Sequence, residues 1–148
     1  MPRMDIPDDI KIKATVKGGA VYYFVEESFV GSGSHYFVVL NKNPIVDDGL
    51  VFVCAVTLDI DVIERITPMN YGIETLVQAT SVDYPLLKHP TLFNCNNIIV
   101  QPVEVLVNKL QARALSLKDP VPDGLLNKLR KGVLASKHVS EKVKRLLR

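Results

Sequence analysis

The sequence predicts an α+β fold: a small, strongly bent antiparallel SH3-like β-barrel with C-terminal helices. Three observations carry this prediction. Short β-branched and aromatic runs recur across residues 11–101, separated by Gly, Pro, Asn and Asp clusters. From Pro102 the apolar spacing changes from period two to the three-and-four spacing of helices. The charge also divides: residues 1–108 carry 7 basic and 13 acidic side chains, and residues 109–148 carry 11 and 3. Strands followed by helices suit a bent barrel with a helix packed on it. Residues 1–114 therefore read as a β-barrel domain with its closing helix, and 115–148 as a basic helical extension.

With 47% hydrophobic and 23% charged residues, 148 residues hold enough apolar material for one real core. No apolar run approaches the roughly 18 residues of a membrane span, so no membrane association is expected. The N-terminus lacks the apolar stretch of a signal peptide, and the chain reads as cytoplasmic. Cys54 and Cys95 lie in apolar strand contexts with no C-x-x-C or Cys/His cluster. They read as buried reduced thiols, and no metal site and no cofactor is expected.

Taken in order, residues 1–10, with Pro2, Pro7 and three aspartates, read as a loosely held arm. Lys11 to Lys17 alternates polar and apolar, the signature of a half-buried strand. Gly18-Gly19 marks a tight turn, and Val21 to Val25 a second strand. Gly31-Ser-Gly-Ser34 is too small and polar for a core and reads as a mobile loop. His35 to Leu40 and Leu50 to Val56 are almost continuously apolar, as strands buried on both faces or at an interface are. Asn43-Pro44 and Asp48-Gly49 punctuate the hairpin between them. Asp59 is a helix N-cap candidate for the turn or two that follow it. Glu74 to Ala79 returns to strand, and Ser81 is placed to cap another helix, stopped by His89-Pro90. Leu92–Cys95 and Ile98–Val100 read as two short strands about an Asn96-Asn97 turn. Val103, Leu106, Val107 and Leu110 form a helical stripe behind Pro102. Two short basic amphipathic helices complete the chain over 124–148.

Chemistry is thinly marked. His35 follows the Gly/Ser loop and opens a buried strand, where imidazole can act as general acid or base; it also suits a strand edge at the surface. Thr57 ends an apolar strand, where its hydroxyl can hold a phosphate or cap the strand end. Lys42 can stabilise negative charge on phosphate, and Ser81 is a polar loop residue. Tyr22, Tyr23, Phe24, Tyr36 and Phe37 can fill a core or stack on bases. The basic terminal segment, with Lys128, Arg130 and Lys131, suits nucleic acid, an acidic partner or the chain's own acidic body. Gly31-x-Gly33 lacks the strand–glycine–helix context of a nucleotide loop, and Ser32 and Ser34 lack that of a hydrolase elbow.

Gly33-Ser-His-Tyr-Phe-Val-Val-Leu40, Cys54-Ala-Val-Thr57, Thr75-Leu-Val-Gln78 with Ser81-Val-Asp83, and Pro102 to Leu110 together resemble the PemK/MazF family of toxin endoribonucleases from toxin–antitoxin operons. The resemblance covers roughly residues 15–112. His35-Tyr36 stands where the family carries Arg-Pro, and Ala55 where it carries proline before the threonine. The resemblance implies cleavage of single-stranded RNA without metal, His35 at the basic position and Thr57 at the family's threonine as catalytic residues. It implies a homodimer and an antitoxin protein as partner. The basic segment 113–148 lies beyond the family's usual end; on the same reading, RNA contacts are expected from Lys42, Ser81, Lys128, Arg130 and Lys131. The alternative is a non-catalytic β-barrel module that binds nucleic acid or a protein. The two separate on whether His35 and Thr57 meet in one open cleft.

Overall fold

The computed structural model describes residues 6–27 and 33–148. Residues 1–5 of the expected arm, and Gly31 and Ser32 of the expected loop, lie outside the described residues. The elements are α1 (Asp8–Thr15), β1 (Val21–Phe24), β2 (His35–Val39), β3 (Leu50–Thr57), α2 (Ile60–Ile66), β4 (Leu76–Ala79), β5 (Thr91–Gln101), α3 (Val103–Gln111), β6 (Leu115–Lys118), α4 (Asp123–Ala135) and α5 (Glu141–Arg145). No described helix is long and apolar enough to cross a membrane.

Six strands form one antiparallel sheet in the order β4-β5-β3-β2-β1-β6. The sheet is open, with β4 and β6 at its edges, and is not the closed barrel expected from the sequence. Its faces are covered instead by helices. Side chains alternate along β3 between two cores: Val51, Val53 and Ala55 join α4 on one side, and Leu50, Phe52 and Cys54 join α1 and α3 on the other. Leu125, Leu126, Leu129 and Val133 of α4 fill the first core, and Ile12, Val16 and Leu106 line the second. Each fully buried Leu, Ile or Val contributes about 1.5–3 kcal/mol, so both covers matter. Two-sided burial explains why β2 and β3 read as continuous apolar runs rather than alternating ones.

Four local expectations are corrected. Residues 8–15 are helix, not strand: the alternation of Ile10, Ile12, Ala14 and Val16 contains the i, i+4 pair Ile12 and Val16. Those two are buried, while Ile10 is 50% exposed. Asp8 and Asp9 in the first turn suit the positive end of the helix. The segment after Ser81 is a run of turns, because the Asp83 carboxylate accepts from the Thr80 N–H at 2.9 Å and the Thr80 hydroxyl accepts from the Val82 N–H at 3.3 Å. Asn96-Asn97 does not reverse the chain. It lies in a bulge of the single strand β5, opposite Cys54, where the register shifts between Val53 and Ala55. The Asn96 side chain is tied to the Thr75 hydroxyl at 2.7 Å and to that of Ser136 at 2.7 Å. Finally, residues 115–118, expected within the helical extension, are a strand on β1, and α4 packs into the same core as β3.

Candidate functional site

A cleft opens where β2 and β3 part. Their pairing covers Phe37–Val39 with Phe52–Cys54, while Ala55, Val56 and Thr57 pair with β5 alone. Among the described residues no strand pairs with the other edge of these three. His35 begins β2 beside Phe24 of β1, its ring edge-on to Phe37 at 6.5 Å. Asp59 then caps α2 by accepting from the Val62 N–H at 2.9 Å, which sets the helix phase. Val62 is buried, and Arg65, one turn further on, shares its face.

The cleft holds about 390 Å³ and is lined by Tyr23, Ser34, His35, Tyr36, Ala55, Val56, Thr57, Asp59, Val62 and Arg65. His35 and Thr57, chosen separately from the sequence, therefore face one open space. Beside it lies a second cavity of about 220 Å³ that shares Tyr36, Ala55, Val56 and Thr57 and adds Leu86, Leu87, Lys88, His89 and Thr91. Thr57 stands between the two. Its side chain is exposed and has no hydrogen-bond partner among the described residues. The tilted Tyr23–Tyr36 pair, centroids 5.0 Å apart, forms an aromatic wall. Tyr22, Phe24 and Phe37 are instead buried in the core with Phe52.

The other candidates sit elsewhere. Lys42 is exposed past the far end of β2, and its backbone N–H donates to Leu146 O at 2.9 Å. At about 3.3 Å per residue it lies roughly 20 Å along the chain direction from His35. Ser81 is exposed in its turn and lines neither cavity. Lys128 and Lys131 are exposed on α4. Arg130 is engaged: its Nε donates to Leu40 O at 2.8 Å and its second guanidinium nitrogen to Asn41 O at 3.0 Å. Burial lowers its pKa, and nearby Asp123 opposes that shift. Cys54 and Cys95 are free and buried; burial pushes the Cys95 thiol up to about 12 and Cys54 higher still. Cys54 floors a small apolar cavity beneath α2 with Val56, Val62, Ile66 and Leu92.

The sequence pattern does not single out Arg65 in the cleft, nor Lys88 and His89 in the adjoining cavity. A usable signal existed for Arg65, since Asp59 as N-cap puts Val62 and Arg65 on one helical face. None existed for Lys88 and His89, whose position depends on the turns after Thr80.

No family model and no curated protein matches the sequence. Solved structures do match in fold. An endoribonuclease in complex with its cognate antitoxin, from Mycobacterial species, is similar at TM-score 0.52 and 16% identity, over 84% of this chain and 97% of that one. A MazE–MazF complex from Deinococcus radiodurans aligns at TM-score 0.49 and 10% identity, over 80% and 92%. The chain thus shares the fold of that mycobacterial endoribonuclease.

Proposed function

We propose that this chain is a toxin-like endoribonuclease that cleaves single-stranded RNA without a metal ion. The observation that carries the reading is that His35 and Thr57 line one open cleft beside an aromatic wall. RNA holds its own nucleophile, so the protein needs a proton-transfer group and a group that holds the phosphate. The His35 imidazole takes the 2′-hydroxyl proton as that oxygen attacks phosphorus. The P–O5′ bond breaks, the leaving oxygen takes a proton from solvent, and a 2′,3′-cyclic phosphate and a 5′-hydroxyl result; the His35 imidazolium then returns its proton to solvent. The Thr57 hydroxyl donates to a non-bridging phosphate oxygen. The second cavity, with Lys88 and His89, has room for an adjacent nucleotide.

Lys128 and Lys131 extend the RNA contact on α4, and Lys42 and Ser81 lie outside the cleft as peripheral contacts. The proposal includes a homodimer in the cytoplasm and an antitoxin protein as partner, on the model of the mycobacterial neighbour solved with its cognate antitoxin.

The test is incubation of purified protein with a long single-stranded RNA in EDTA, beside His35→Ala and Thr57→Ala. The proposal expects discrete products that disappear with either variant. Salt-sensitive RNA binding with no cleavage at any protein excess points to a binding module instead, because phosphate contacts release counterions and weaken with salt.

A further inference from the structure

We infer that Arg65, on α2, binds the scissile phosphate and supplies the positive charge that neither His35 nor Thr57 provides. The inference rests on the proposed RNA-cleaving reading and adds a residue to its site. Attack on a phosphodiester puts a second negative charge on the phosphate oxygens, and a cation aimed at that charge is worth far more in a walled cleft than in water. His35 cannot be that cation while it is neutral and taking a proton. Thr57 is uncharged. Lys42 lies beyond the far end of β2, and Arg130 is held by the Leu40 and Asn41 carbonyls. Among the described residues that line the cleft, Arg65 is the one permanent cation.

The placement of Arg65 supports the role. It is exposed and makes no ion pair or hydrogen bond among the described residues. The Asp59 cap and the burial of Val62 fix the helix that carries it. Arg65 also borders the small cavity lined by Val56, Val62 and Ile66. A planar guanidinium matches two phosphate oxygens at once, which lysine does not.

The experiment measures Arg65→Ala and Arg65→Lys in the full chain. One arm follows cleavage of single-stranded RNA in EDTA. The other follows binding of a 2′-O-methyl RNA oligonucleotide, which cannot be cleaved by 2′-oxygen attack, as a function of salt. The inference expects Arg65→Ala to lower kcat by about 10²–10³-fold, the scale of one lost transition-state donor, with part of the rate restored in Arg65→Lys. It also expects the slope of log affinity against log salt to shrink by about 0.7, the value of one phosphate contact on a single strand. Cleavage by wild type and by Arg65→Ala within threefold of each other overturns the inference and leaves the RNase reading standing. If wild type does not cleave, the RNase reading fails, and the salt slope decides Arg65: an unchanged slope overturns its phosphate contact and a reduced one upholds it.

Discussion

The two ends of the β2–β3 pair are built from the same apolar strands and finish in opposite ways. At the far end the buried polar side chains are matched among the described residues. Asn41 is fully buried; its amide donates to Asp47 at 2.8 Å and Gly49 O at 2.9 Å and accepts from the Val51 N–H at 2.7 Å. Arg130 closes the same corner on Leu40 and Asn41. A side chain at Gly18 would run into the Arg130 guanidinium and meet Asn41 O at 2.9 Å, so glycine is required by close approach. At the near end the strands part, and Thr57 and Arg65 have no side-chain partners among the described residues. Both are exposed, so a ligand there would exchange for water rather than break a bond within the chain. One end thus holds the sheet together, and the other is available for chemistry.

The contrast can be broken by moving chemistry and stability separately. The largest expected effect is on rate: His35→Ala should lower RNA cleavage by about 10²–10⁴-fold, the range for a general acid–base group. Its denaturation midpoint should stay close to wild type. A comparable loss of stability would place His35 with the structural end. Next, Asn41→Ala leaves a buried N–H, a carbonyl and a carboxylate without their partner and should cost about 2–4 kcal/mol in denaturant titration. A cost under about 0.5 kcal/mol would contradict the closed corner.

How much of this contrast is legible in the sequence depends on the range of the interaction. β1, β2, β3, α2 with its Asp59 cap and the stripe of α3 follow from local pattern. His35 and Thr57 stand out because each ends an apolar run beside a break. α1 is hidden because Ile12 and Val16 satisfy both periods, and only the core against α3 decides between them. β6 is four residues, Leu-Ser-Leu-Lys, and becomes a strand only because β1 offers an edge. The Asn94–Asn97 bulge looks like a turn until β3 pairs on both sides of it. The open sheet itself follows from α4 covering one face, a long-range choice. Arg65 joins the cleft only when α2 folds back over Val56.

A smaller effect sharpens the comparison from the near end. Lys88→Ala should weaken binding of an RNA spanning both cavities by about 3–10-fold, as one exposed phosphate contact does, and leave a shorter oligonucleotide unaffected. Equal effects on both lengths would detach the second cavity from the site.

The smallest effect concerns the core thiols and phenols. Cys54, Cys95, Tyr22 and Tyr84 all have pKa values raised chiefly by burial. An acid with a raised folded pKa keeps its proton longer in the folded chain, so its stabilisation is complete below the unfolded pKa. It is lost as pH rises toward the folded value. Stability should therefore fall from about pH 9 upward, toward the Cys95 value of about 12. A thiol reagent at pH 8 should label neither cysteine in the native protein and both in denaturant; fast native labelling would contradict their burial.

The division between the two ends is tested most directly by one crossed measurement. Denaturation midpoint and metal-free cleavage rate are read on wild type, His35→Ala and Asn41→Ala at a temperature where all three are folded. The account predicts that His35→Ala loses the rate and keeps the midpoint, while Asn41→Ala loses the midpoint and keeps the rate. A rate unchanged in His35→Ala, or a midpoint that falls as far as in Asn41→Ala, would contradict it.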